Sequence, residues 1–346
     1  MKKFIVALAV SAMLMTGSAM AADWNFYGSA RISTFYVDDE GIGTNTTDTS
    51  SYEQALQGNS RIGATVKVSD ELTGGFEYGT GVNVRKLYGE WNFGAGSLLV
   101  GQTYTPLNWF YSNQVYGTDN DMLAQGGVYS GRQGMLRLKF GTFEIAAVTP
   151  NEETTNVNGG NGTTEVDFPA IEAKYTFNFD SGKIQIAGGY NAYELTDGGV
   201  TYDVDSYVVA LGGTINFGAF YLGSNVWVGE NPGNLMAVSV DGDNAWDDGF
   251  ASITGGQLYD NEAYGFILVG AYTVNDMFKL EAGYGYANTE LDQAGAQEDE
   301  VATYYLQSVI TLAPGVMVIP EIGMIDGEES GDIERTYFGA KWQINF

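Results

Sequence analysis

The side chains of this sequence that could do chemistry are carboxylates, guanidiniums and ammoniums, because the chain contains neither histidine nor cysteine. Ser-His-Asp and Cys-His nucleophile systems, histidine-ligated zinc and the usual general base are thereby excluded. No disulfide can staple the fold either. Basic residues recur on the polar side of alternating segments: Arg31, Arg61, Lys67, Arg137, Lys139, Lys174, Lys183, Lys279, Arg335 and Lys341. Arg85 and Lys86 sit where Val82-Asn83-Val84-Arg85-Lys86-Leu87 breaks its alternation, which predicts a β-bulge with either residue facing the polar side. Asp119 and Asp121 belong to a long connection, Tyr104 to Gly131, that also carries Trp109-Phe110-Tyr111 and several glycines. A free surface loop rarely keeps such bulk. The stretch is therefore expected to fold inward against a wall, its aromatics as anchors and its two carboxylates opposite Arg31, Arg61, Arg85 and Arg137. Opposed charges of this kind set a transverse field that orients dipolar solutes and disfavours apolar ones.

The elements needed to hold these charges are strands. In the last segment Glu334, Thr336, Phe338, Ala340, Trp342, Ile344 and Phe346 share one face, and Arg335, Tyr337, Gly339, Lys341, Gln343 and Asn345 share the other. That period of two is the mark of a strand with one apolar side. The same test predicts sixteen strands, near 24–37, 59–69, 72–79, 82–93, 97–103, 132–140, 143–149, 167–179, 183–194, 203–217, 219–230, 262–274, 277–289, 301–312, 315–325 and 333–346. Connections alternate between tight turns such as Gly94-Ala95-Gly96, Gly141-Thr142 and Asp180-Ser181-Gly182 and mostly longer polar stretches such as 38–58, 104–131 and 231–261. An even strand number with short turns on one side and long loops on the other describes a bacterial transmembrane barrel with both termini in the periplasm. Closure leaves no backbone group unpaired in lipid, and about sixteen strands leave a lumen wide enough for water. The fold class expected is all-β: an antiparallel up-and-down transmembrane β-barrel with an inward-folded third loop. Aromatics near the ends of the apolar faces, among them Trp24, Phe26, Trp91, Phe177, Phe217, Phe220 and Trp342, fit interfacial girdles, although a sandwich core would also use them.

The 346 residues carry 15 basic and 43 acidic side chains, a net charge of −28 that opposes nucleic acid as a partner. The windows 38–58, 150–167, 231–262, 290–300 and 326–332 contain acidic residues and no Lys or Arg. Solubility alone explains such loops; a cation-attracting mouth, or divalent cations bridging carboxylates to lipopolysaccharide phosphates, are the functional readings. The mouth implies a modest cation preference at low salt, which the inward basic residues oppose. At the start, Lys2 and Lys3 precede an apolar run from Phe4 to Met15 and the small-residue site Ala19-Met20-Ala21. This reads as a signal peptide over 1–21, with a barrel domain over 22–346. Asp241-Gly242-Asp243-Asn244-Ala245 begins like a calcium loop but has Trp246 and Ser252 where Gly and Glu belong. Asn45-Thr46-Thr47 and Asn161-Gly162-Thr163 match glycosylation acceptors by a pattern that arises often by chance.

Three segments carry a resemblance: the C-terminal strand Tyr337-Phe338-Gly339-Ala340-Lys341-Trp342-Gln343-Ile344-Asn345-Phe346, the start Trp24-Asn25-Phe26-Tyr27-Gly28, and Val100-Gly101-Gln102-Thr103-Tyr104-Thr105-Pro106. With these the mature sequence resembles the general trimeric porins of Gram-negative bacteria, most closely the homotrimeric outer-membrane porins of sulfate-reducing bacteria. The resemblance implies a non-enzymatic, cofactor-free, water-filled channel for passive diffusion of ions and small hydrophilic solutes. It also implies an outer-membrane location among lipid and lipopolysaccharide, a homotrimer with three parallel pores, and Phe346 as the signal to the barrel-assembly machinery. The family's Pro-Glu-Phe-Gly-Gly sequence is absent from the third loop, and the second loop, Thr80-Gly81, is too short to latch onto a neighbouring subunit. Two other readings stay open. Tyr27, Tyr221, Trp227, Tyr305 and Tyr337 could form an inward aromatic track for a selected solute, or the barrel could be a plugged structural or adhesive protein.

Overall fold

The computed structural model describes residues 22–41, 48–240, 248–327 and 333–346. The expected signal peptide, the Asn45 motif and the Asp241-to-Trp246 stretch lie outside the described residues.

Sixteen antiparallel staves close into one barrel. They are β1 (Asp23–Gly41), β2 in two pieces (Thr49–Leu56 and Arg61–Lys67), β3 (Leu72–Gly79), β4 (Val84–Asn92), β5 (Ser97–Tyr104), β6 (Arg132–Phe140), β7 (Phe143–Val148) and β8, again in two pieces (Thr163–Glu165 and Ala170–Phe179). The far side is taller: β9 (Gly182–Asp197), β10 (Val200–Phe217), β11 (Phe220–Glu230), β12 (Asn261–Thr273), β13 (Phe278–Leu291), β14 (Asp299–Ala313), β15 (Val316–Gly327) and β16 (Ile333–Asn345). Each stave pairs with its sequence neighbours, and β16 returns to β1 in a register running from Ser29↔Asn345 to Gly41↔Ile333. Backbone bonds between Gly28 and Phe346, at 2.7 and 3.1 Å, carry the seam to the last residue. The wall thus closes on itself, first strand to last, as a lipid-spanning sheet must.

The strand windows read from the sequence match these staves to within a few residues, with one clear difference. Residues 49–56, expected inside the first long loop, are the upper half of β2, paired with β1 from Ile32↔Leu56 to Asp39↔Thr49. Every side chain of that piece is exposed, so no face is buried and no alternation betrays it. Tight turns behave as their residues predict: Gly141 and Gly218 take φ values of 60° and 61°, where a side chain would be strained.

Outward faces present Leu136, Ile186, Leu211, Leu268, Leu306 and Ile322 to the surroundings, all exposed. Trp24, Phe26, Trp91, Phe217, Phe220 and Trp342 are exposed near the short turns, as an interfacial girdle requires. The core is therefore inside. Phe35, Trp227, Ile267, Tyr305 and Tyr337 of the wall bury themselves against Leu107, Trp109, Tyr111, Val115, Tyr116 and Met122 of the third loop. A second segment joins that loop inside the barrel: Ala237 N–H donates to the Tyr129 carbonyl at 2.9 Å, and Ser239 N–H to that of Ala124 at 3.1 Å.

Candidate functional site

The third loop leaves β5 at Tyr104, crosses the lumen and returns to β6 at Arg132. Three inward carboxylates of the wall hold its backbone. Glu172 on β8 accepts from Leu107 N–H at 2.9 Å, and Glu281 on β13 from Asn113 N–H at 2.9 Å. Glu321 on β15 accepts from Val115 and Tyr116 N–H at 2.7 and 2.9 Å. Hydrogen bonds to charged acceptors contribute about 1.5–3 kcal/mol each, so these three fasten the loop along half the circumference. The aromatics anchor it as expected in two cases of three. Trp109 and Tyr111 are 3% and 1% exposed, whereas Phe110 between them is 46% exposed and turns to the lumen. The wall makes room with glycine: a Cβ at Gly212 on β10 would come within 2.9 Å of the Trp109 ring.

At its tip the loop carries three left-handed residues, Asp119, Asp121 and Met122, with φ of 61°, 53° and 54°. Such backbone costs of order 1–3 kcal/mol per residue and persists only when the surroundings over-determine it. Here they do. Met122 is fully buried, and Asp119 is held by the Arg31 guanidinium of β1 and by Lys341 Nζ of β16 at 2.8 Å. Burial, reinforced by the neighbouring charge of Asp119, pushes the Asp121 carboxyl well above the usual range.

Between this tip and the low side of the barrel lies a cavity of about 680 Å³. Arg31, Arg61, Arg85 and Arg132 line it, with Asp119, Asp121, Tyr104, Phe110 and Tyr129 among the residues facing them. Glu77 on β3 serves three cations at once: Arg85 Nε at 2.8 Å, Arg61 at 3.6 Å and Lys86 Nζ at 3.8 Å. The register shift at Glu77 and Tyr78 is the expected bulge, and it lets both Arg85 and Lys86 reach the inner side.

Sequence reasoning placed Arg31, Arg61, Arg85, Asp119 and Asp121 together, and the structure brings those five to one cavity. Arg137 is not among its lining; its guanidinium pairs with Glu144 at 3.2 Å, which Lys174 also approaches at 3.4 Å. Its place is taken by Arg132, missed because it has the opposite parity to Arg137 on β6, at the strand's first residue where the loop rather than the pleat sets direction. Asp119 also departs from expectation: it is bridged directly to basic wall residues instead of facing them across open space. Of the other basic residues, Lys67 pairs with Asp70 at a short turn, at 2.7 Å, and Lys139 is exposed near another. Lys183 Nζ lies 5.4 Å from the Tyr111 ring centre, and Lys279 bonds Glu281 at 2.8 Å. Arg335 grips Asp39 through two bonds of 2.7 and 2.9 Å. The aromatic track does not form. Trp227, Tyr305 and Tyr337 are buried under the loop, Tyr221 donates to the Tyr111 carbonyl at 3.0 Å, and Tyr27 donates to Glu77 at 2.9 Å. Glu172, Glu281 and Glu321 were legible only as lone acids at inward positions of alternating strands.

Comparison with known proteins matches residues 7–330 to the family described as Gram-negative porin. No curated protein matches the chain. Among solved structures, the outer membrane channel DcaP of Acinetobacter baumannii superimposes with a TM-score of 0.71 at 18% identity, over 95% of this chain and 99% of that one. OmpT of Vibrio cholerae in its trimer form gives 0.58 at 17% identity, over 94% and 100%. The anion-selective porin from Comamonas acidovorans gives 0.60 at 13% identity, over 94% and 100%.

Proposed function

The chain belongs to the Gram-negative porin family and forms an outer-membrane channel for passive diffusion of solutes, and we propose that what crosses it passes through the slot between the third loop and the wall of β1 to β6. The observation that carries this reading is the charged cavity of about 680 Å³ between the loop tip and that wall, while the loop's apolar side chains pack mainly against β9 to β16. Its lining sets the preference. Four arginines face two aspartates, one of them already held by Arg31 and Lys341, so the slot itself favours anions even though the chain as a whole is acidic. The acidic loops outside act in the opposite sense, as a mouth that concentrates cations at low salt.

Around that function the same reading places a signal peptide over 1–21, a mature barrel over 22–346 with both termini in the periplasm, and Phe346 as the residue read during barrel assembly. Three copies associate, the state named for the Vibrio cholerae protein. Acidic loops meet lipopolysaccharide, with divalent cations between them. The test is single-channel recording of the purified chain in a planar bilayer, with reversal potentials under a salt gradient. Stepwise openings in groups of three with a reversal potential on the anion side support the slot and the trimer. Inserted protein that does not conduct would move the function to a plugged structural or adhesive barrel.

A further inference from the structure

Arg132 differs from the other arginines of the slot in how its charge is met. Arg31 holds Asp119, and Arg61 and Arg85 share Glu77. Among the described residues Arg132 forms no ion pair; its Nη1 donates to the neutral Tyr104 hydroxyl at 2.8 Å, and its guanidinium lies 5.1 Å from the centre of the same ring. Lys86 Nζ approaches that ring too, at 5.3 Å. The hydrogen bond to Tyr104 and the contact with its ring fix the orientation of the guanidinium, whose planar fork is suited to a carboxylate. Beside it stands a partly exposed apolar surface. Phe110 packs edge-on to Tyr104 at 4.9 Å and to Tyr129 at 6.0 Å, yet remains 46% exposed within a polar, charged cavity. Its sequence neighbours Trp109 and Tyr111 are almost wholly buried, so loop anchoring does not account for Phe110.

A pre-oriented cation with no ion pair among the described residues and an open aromatic face, side by side, are complementary to an anion with a flat apolar body. We propose that the slot contains a binding subsite for small aromatic carboxylates, with Arg132 pairing the carboxylate and Phe110 and Tyr129 packing on the ring. The proposal rests on the slot being the conducting path. The subsite is weak by construction, since a solute that passes must also leave. Neither half suffices: a carboxylate without a ring gains only the charge, and a ring without a carboxylate only the contact.

The experiment records single channels of the full folded chain in planar bilayers at constant ionic strength while sodium benzoate is added to one side. Benzoate is expected to reduce the current saturably, whereas acetate and benzyl alcohol at equal concentration do not. Arg132→Gln should raise the half-blocking concentration about tenfold, a loss of about 1.4 kcal/mol, and Phe110→Ala should raise it severalfold through a change that leaves every charge in place. Channels that conduct but are blocked no better by benzoate than by acetate, or whose block ignores both substitutions, overturn the subsite and leave the diffusion path intact. A chain that does not conduct overturns the path instead. Calorimetric titration of benzoate into the same chain in detergent then decides the subsite: saturable heat that Arg132→Gln diminishes supports it, and no such heat overturns it.

Discussion

The ring of Tyr116 in the third loop lies parallel to that of Tyr337 on β16, centroids 3.9 Å apart and planes 12° apart. Tyr337 also accepts a hydrogen bond from Gln114 Nε2 at 2.9 Å, so one wall residue holds two positions of the loop. Removing it should loosen the tip that carries Asp119. Tyr337→Ala is expected to cost about 3–5 kcal/mol, as other buried aromatic truncations do, and to lower the thermal unfolding midpoint followed by circular dichroism. Single-channel records of the variant should show larger, noisier openings. Unchanged records would mean that the loop does not depend on this contact.

Glu321 supplies the adjacent fastening. Glu321→Gln keeps the shape but removes the charge and sets an amide NH₂ where an acceptor stood. Two donors, the N–H groups of Val115 and Tyr116, lose part of their partner. A weakening of about 1.5–3 kcal/mol predicts amide exchange at these positions roughly ten to a hundred times faster, with little change in β9 to β12. Hydrogen-exchange mass spectrometry on loop peptides reads this directly.

Asp121 gives the slot a pH dependence of definite sign. Its carboxyl is pushed well above the ordinary range by burial first and by Asp119 second, so it is neutral at low pH and gains its negative charge only above the usual carboxylate window. The ratio of cation to anion permeability should therefore rise with pH in that higher window, when the arginines are unchanged. Asp121→Asn should flatten the rise. Reversal potentials measured across a pH series test both statements.

The basic wall should act through charge, and charge is screened. Replacing Arg61 and Arg85 together by glutamine is expected to shift selectivity toward cations at 0.1 M salt, where the screening length is about 10 Å. The shift should nearly vanish at 1 M, where it is about 3 Å. A shift of equal size at both salts would point to altered pore width instead of altered field.

Much of this architecture is legible in the residue pattern. The sixteen staves follow from a period-two pattern that lipid outside and water or loop inside both enforce, and the turns from the few residues that accept their backbone. Where neither face is buried the pattern vanishes, which is why Thr49–Leu56 reads as loop. Parity also fails at strand ends. There Arg132 follows the loop into the slot, while Arg137, at the parity that the pleat points inward, lies elsewhere with Glu144.

Residue spacing is enough to set the class of the molecule: a closed antiparallel wall, basic side chains on its inner face, and one long connection bulky enough to enter. These are local properties, set by spacing along a strand. Which carboxylate meets which cation was decided by the tertiary structure alone. Asp119 lies 88 residues from Arg31 and 222 from Lys341 along the chain. Their meeting depends on the path of a loop held by Glu172, Glu281 and Glu321 on three separate strands. No period along the sequence encodes that path, because it is fixed by contacts across the lumen that exist only once the barrel has closed.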